Sequence, residues 1–182
     1  MRRFSTIESV VFVGLFAALT VIGTMIKIPL PTGAFVHMGN AVLLLSVLLL
    51  GYLRGSLAGG IGFAIFDLLN GYATEAPYFI LESFIVGAAA YGMYCLYKKN
   101  PTKIYQVVMI GIGTGIAKIS MTQIKNTVVQ LMMGNRLSVG FNAALVQLPA
   151  TLINVVTTII VVTFLYFPLK KAMVRLLPTN KY

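Results

Sequence analysis

Residues 7–27 read IESVVFVGLFAALTVIGTMIK, and residues 37–52, after a proline-rich break, read HMGNAVLLLSVLLLGY. The first stretch is apolar for about the 20 residues a helix needs to cross the hydrocarbon of a bilayer, and the second follows at once. Two such runs within 52 residues predict a membrane protein. The basic start Met1-Arg2-Arg3-Phe4 is like the first part of a signal peptide, but the apolar run reaches Ile26 without a small-residue cleavage site, so a retained first helix is expected.

The rest of the chain continues the pattern. Of its 182 residues, 58% are hydrophobic and 10% charged, with a mean hydropathy of +0.91, beyond the apolar share of a soluble domain. Apolar runs and their breakers predict spans near 7–27, 37–52, 57–72, 78–97, 103–131 and 140–169. Pro29, Pro31 and Gly33 make the first break, Gly51 to Gly55 the second, and Pro77, Pro101 and Pro168 the later ones. The expected fold is all-α: residues 1–182 as one polytopic domain of six transmembrane helices, with membrane lipid as its solvent.

The net charge of +10 would suggest nucleic acid in a soluble protein. Here no nucleic-acid partner is expected, because the cations fall between or beyond the spans. In a six-span chain Arg2, Arg3, Arg54, Lys98, Lys99, Lys103, Lys170, Lys171, Arg175 and Lys181 share one side, and Lys27 and Arg136 take the other. The positive-inside rule then predicts cytoplasmic N and C termini. One more or one fewer span would scatter these charges over both faces.

Inside a bilayer a charge costs about 2.5–3.5 kcal/mol on insertion scales, so Asp67, Glu82, Lys118 and Lys125 need partners or a water-filled cavity. In the six-span arrangement both carboxylates lie in the outer half. Lys118, Thr122 and Lys125 follow one helical face, with Asn126 beside it. His37 with Asn40, and Gln147 with Asn154, fall at comparable depth. Tyr72 and Tyr78 flank the outer loop between the third and fourth spans, either as belt anchors or as rings that stack on a ligand. The set predicts a solute site; the plainer alternative is that Asp67 and Glu82 pair with the two lysines to hold the bundle. Glu75 is expected to be solvated.

Other chemistries lack their residues. One cysteine, Cys95, and one histidine, His37, do not make a metal or redox centre, and no cofactor is expected. The glycine-rich run 55–62 lacks the Gly-Lys-Ser/Thr ending of a phosphate loop, and its glycines read better as close helix packing. Gly14, Ala17 and Ala18 in the first span give a surface where a second helix can approach closely. A self-sufficient transporter or channel using the charged groups as a relay, and an intramembrane enzyme, are the rival functions; no sequence repeat supports the former.

The segment Ile28-Pro29-Leu30-Pro31-Thr32-Gly33-Ala34-Phe35-Val36-His37-Met38-Gly39-Asn40, with the similarity continuing through Gly55 to Tyr72 and Ala76-Pro77, resembles the substrate-binding S component of energy-coupling factor (ECF) transporters. Asp67-Leu68-Leu69-x-Gly71-Tyr72 is its most specific part. The resemblance is nearest to the subgroup assigned to hydroxymethylpyrimidine, thiamine precursors or pyridoxine, although Glu82-Ser83 stands where members often carry a lysine. It implies a bacterial plasma-membrane protein that binds a small vitamin-like solute, with His37, Asn40, Asp67, Tyr72, Tyr78, Glu82, Lys118, Lys125, Gln147 and Asn154 around it and residues 28–36 as a lid. It also implies a transmembrane coupling subunit and two ATP-hydrolysing subunits as partners, with Gly14, Ala17 and Ala18 facing the coupling subunit. The chain itself would hydrolyse nothing.

Overall fold

The computed structural model describes residues 5–30 and 35–176. Arg2, Arg3 and Lys181, and Pro31 and Gly33 in the centre of the expected lid, lie outside the described residues. The first helix, α1 (Thr6–Met25), starts at a capping box: Ser5 Oγ accepts from the Glu8 amide at 3.2 Å, and Glu8 Oε2 accepts from the Ser5 amide at 2.8 Å. Glu8 is thereby used at a helix terminus that would otherwise leave donors unsatisfied.

Beyond α1 the chain forms a short antiparallel hairpin, β1 (Lys27–Pro29) with β2 (Phe35–His37), in register Lys27↔His37 and Pro29↔Phe35. A loop was expected here. Three-residue strands leave too little alternation for a period-two signal.

The helix α2 (Gly39–Leu50) has 12 residues, about 18 Å at 1.5 Å per residue and well short of the ~30 Å hydrocarbon thickness. Nearly all of it is buried, packed against α1, α3, α4 and a long C-terminal helix. A helix surrounded by protein has no lipid to match, which explains the apolar run without polar face that the sequence shows here.

Gly51 (φ 89) turns the chain directly into α3 (Tyr52–Leu69). The expected break over 51–55 is therefore a single residue. Gly55 belongs to α3, and a Cβ there would lie 2.4 Å from the Val47 Cα; its carbonyl accepts the Ser46 hydroxyl at 2.9 Å. The glycine permits the tight crossing of α2 and α3 instead of ending a helix.

Pro77 sits in the first turn of α4 (Ala76–Leu96), and α5 (Ile104–Met132) follows Pro101. The span expected over 140–169 is divided into a short α6 (Leu137–Leu145) and a long α7 (Leu148–Leu176). Pro168 does not stop α7, which runs on through it.

Among the described residues five helices, α1, α3, α4, α5 and α7, are long and apolar enough to cross a membrane. The molecule is a polytopic helical membrane protein. Large apolar side chains such as Val10, Leu53, Ile116 and Phe164 face outward, as lipid-facing residues do. The described ends of α1 and α7 lie at the end of the bundle away from the hairpin.

Candidate functional site

At the hairpin end the helices enclose a cavity of about 300 Å³. Its wall takes Phe35 and His37 from β2, Asn40 from α2 and Asp67 from the last turn of α3. The turn after α3 adds Tyr72 and Glu75, and α4 adds Tyr78, Phe79 and Glu82. From α5 come Lys118, Thr122, Lys125 and Asn126, and the start of α7 with the residue before it gives Gln147, Ala150, Thr151 and Asn154. Every solute-site residue expected from the sequence borders this one space. Phe35 falls in the segment expected as a lid; Glu75, Phe79, Ala150 and Thr151 border the cavity without having been expected there, Glu75 because it reads as a loop residue and the others because in a membrane helix an aromatic, an alanine or a lone threonine carries no signal against its background.

Two ion pairs join α4 to α5. Lys118 Nζ donates to Glu82 Oε2 at 2.6 Å, and the Tyr78 hydroxyl lies 2.8 Å from Glu82 Oε1 and 3.0 Å from the Met121 carbonyl. Lys125 pairs with Glu75. The helices are antiparallel, so the step from 75 to 82 on one matches the step from 125 to 118 on the other. Phe79 stands between the rungs, its ring centroid 5.5 Å from the Lys118 ammonium and 4.7 Å from that of Lys125. Glu75 is not simply solvated. It takes one of the two lysines that the plainer alternative shared between Asp67 and Glu82.

Asp67 has no such partner. The residue is 4% exposed, and its Oδ2 is buried without a hydrogen bond among the described residues. An unpartnered buried carboxylate oxygen is costly and rare, and here it borders the cavity.

The hairpin is pinned on both edges. Asn154 Oδ1 accepts from the His37 amide at 2.9 Å while its Nδ2 donates to the Phe35 carbonyl at 3.0 Å, so the side chain closes the edge of β2 as another strand would. The amide of Asn154 is thus engaged with backbone, and its part in the cavity is to place β2. On the opposite side the Lys27 ammonium lies 5.0, 5.2 and 5.7 Å from the ring centroids of Phe35, Phe66 and Tyr72, a cation–π cage. Tyr72 stacks on Phe66 at 6.4 Å and is a member of that cage.

His37 Nδ1 accepts from the Gly39 amide at 3.1 Å. Burial, reinforced by the Lys118 charge, pushes its pKa down to about 3, so the ring is neutral and keeps its proton on Nε2 as a donor.

Of the small residues on α1, Gly14 and Ala18 are exposed, and a Cβ on Gly14 would meet nothing within 4 Å. Ala17 is buried. Its carbonyl lies 2.6 Å from where a Cβ on Gly62 of α3 would be, so Ala17 belongs to internal packing and not to a partner face.

At one end of the transmembrane bundle, polar groups from five helices and the hairpin thus gather around this cavity. Compared with known families, residues 4–171 match the family described as ECF-type riboflavin transporter, S component. The chain belongs to the ECF S components. No curated protein and no solved structure gives a significant match. As an S component the chain is a transport subunit and not an enzyme, and it works with a transmembrane coupling subunit and ATPase subunits. The match runs through α7, well past the first half of the chain that carries the sequence resemblance.

Proposed function

We propose that this S component captures a hydroxylated nitrogen heterocycle of vitamin or vitamin-precursor type, of the size of hydroxymethylpyrimidine or pyridoxine, and hands it inward with the ATPase module of its complex. The observation that carries the proposal is the single cavity, in which donors (His37 Nε2, Asn40), an acceptor without a partner (Asp67) and the rings of Phe35, Tyr72 and Phe79 face one space. Ring faces stack on aromatic side chains while ring nitrogens and hydroxyls exchange hydrogen bonds with the polar groups. Polar groups come from α2, α3, α4, α5 and α7 alike, which suits a small ligand polar on every edge. Riboflavin is the second candidate, favoured by the family's description.

The membrane in question is the bacterial plasma membrane. In it α2 makes a sixth, protein-surrounded crossing, both termini are cytoplasmic, the cavity faces outward, and the hairpin strands cover it. The basic residues Arg54, Lys98, Lys99, Lys103, Lys170 and Lys171 at the opposite end support that orientation. Gly14 and Ala18 form part of the face toward the coupling subunit. Native mass spectrometry of the purified chain, followed by calorimetric titration with pyridoxine, hydroxymethylpyrimidine and riboflavin, tests the ligand class. A bound lipid and no heterocycle, with no heat from any of the three, would remove it.

A further inference from the structure

The charges around the cavity do not balance. Glu82 is neutralised by Lys118, Glu75 by Lys125, and His37 is neutral. Asp67 is left over. Lys27 is the other cation at this end with a described position near the cavity, but it does not border the space; its ammonium is enclosed by Phe35, Phe66 and Tyr72 and makes no ion pair among the described residues. Both lysines that do border the space are already spent on carboxylates. Among the described residues the chamber wall therefore offers a ligand one negative group with an open acceptor position and no uncommitted cation.

We propose that this chamber selects by charge: it takes a neutral or cationic ligand that presents an N–H, N⁺–H or O–H donor to Asp67, and it rejects phosphate esters and carboxylated forms of the same heterocycle. This deepens the proposed function and rests on it for the ligand class. A phosphate group brings about −1.5 to −2 charges near pH 7 and would need a free lysine or arginine, or a helix N-terminus, in the wall. To bind it, the chamber would have to break one of the α4–α5 ion pairs, leaving Glu75 or Glu82 uncompensated beside Asp67.

The test uses the full chain in detergent at pH 8. Riboflavin, pyridoxine and hydroxymethylpyrimidine are each titrated beside their phosphate esters, and the ligand-free melting temperature is measured for the wild type, Asp67→Asn and Glu82→Gln. The expected result is that the alcohol that binds does so at least ~100-fold more tightly than its ester, and that Asp67→Asn weakens it ~10-fold or more. Without ligand, Asp67→Asn should raise the melting temperature by a few degrees, since it removes an unpaired buried charge, while Glu82→Gln should lower it, since it breaks a pair. An ester that binds as well as its alcohol overturns the proposal, and so does a ligand-free Asp67→Asn chain that melts at or below the wild type. If no compound binds but Asp67→Asn still stabilises and Glu82→Gln still destabilises, the vitamin assignment falls and the charge assignment stands.

Discussion

Replacing Lys118 by methionine should cost this fold far more than the same change at Lys125, although both lysines lie on one face of α5 and each pairs with a glutamate, Glu82 within α4 or Glu75 at its N-cap. The Lys118 and Glu82 side chains are 15% and 4% exposed, so removing the ammonium strands a carboxylate that water reaches poorly. Breaking a buried pair from one side costs about 3–5 kcal/mol. The Tyr78 hydroxyl still reaches Glu82 Oε1 and the cavity admits solvent, which favours the lower limit, ~3 kcal/mol. At about 2–4 °C per kcal/mol for a chain of this size, that is a fall of roughly 6–12 °C in melting temperature. The Lys125 and Glu75 side chains are 21% and 42% exposed, where an ion pair contributes ~0–1 kcal/mol, and Lys125→Met should cost no more than about 4 °C. Adding Glu82→Gln to Lys118→Met removes the stranded charge and should recover most of the loss. Thermal scanning by intrinsic tyrosine fluorescence or by a thiol probe at Cys95, which is exposed, reads all four proteins. Equal shifts for Lys118→Met and Lys125→Met, or a double variant no better than the single one, would refute the assignment of Glu82 and Lys118 as a buried, mutually dependent pair.

Other consequences are open to measurement. Asn154→Ala leaves the His37 amide and the Phe35 carbonyl without partners, and should accelerate hydrogen exchange at the His37 amide and speed ligand release ~10-fold; unchanged exchange would mean the hairpin is held elsewhere. Because folding lowers the His37 pKa from 6.5 to about 3, the unfolded chain binds the extra proton first, so this residue's contribution is fully present above pH 6.5 and is lost as pH falls from there toward 3. His37→Gln should flatten that part of the stability profile, and a variant profile identical to the wild type would exclude the residue as its source. Gly14→Leu should fold and bind solute normally yet abolish uptake by the assembled transporter, whereas Ala17→Leu, driven against α3, should fail at folding; normal uptake with Gly14→Leu would take that face away from the coupling subunit.

How much of this was legible depends on what each helix touches. Helices α1, α4 and α5 lie within a few residues of their expected positions because lipid demands long apolar runs and the charged or proline-containing turns end them. Where protein replaces lipid the reading is mixed. α2 lies within two residues of its expected ends yet is short because its surroundings are other helices, and Gly55, read both as part of a break and with the glycine-rich run as close helix packing, is a contact residue that lets α3 lie against Val47. Pro168 was taken as a terminus, but a proline within a helix removes a single donor, which a membrane helix packed against neighbours tolerates.

The site was more legible than the fold because a polar residue in hydrocarbon has few reasons to exist. That cost is enough to predict that His37, Asn40, Asp67, Glu82, Lys118 and Gln147 meet, but not who pairs with whom. Pairing is a matter of register: with α4 and α5 antiparallel, the lysine at 118 meets 82 and the one at 125 meets 75. Glu75 looked like a loop residue because nothing in a linear sequence shows that its turn folds back over α5. With Lys118 on Glu82 and Lys125 on Glu75, both lysines the sequence offered to Asp67 are taken by other carboxylates. A buried carboxylate oxygen left without a partner in a cavity wall calls for a physical reason, and a donor on an entering solute is the one the proposed function supplies.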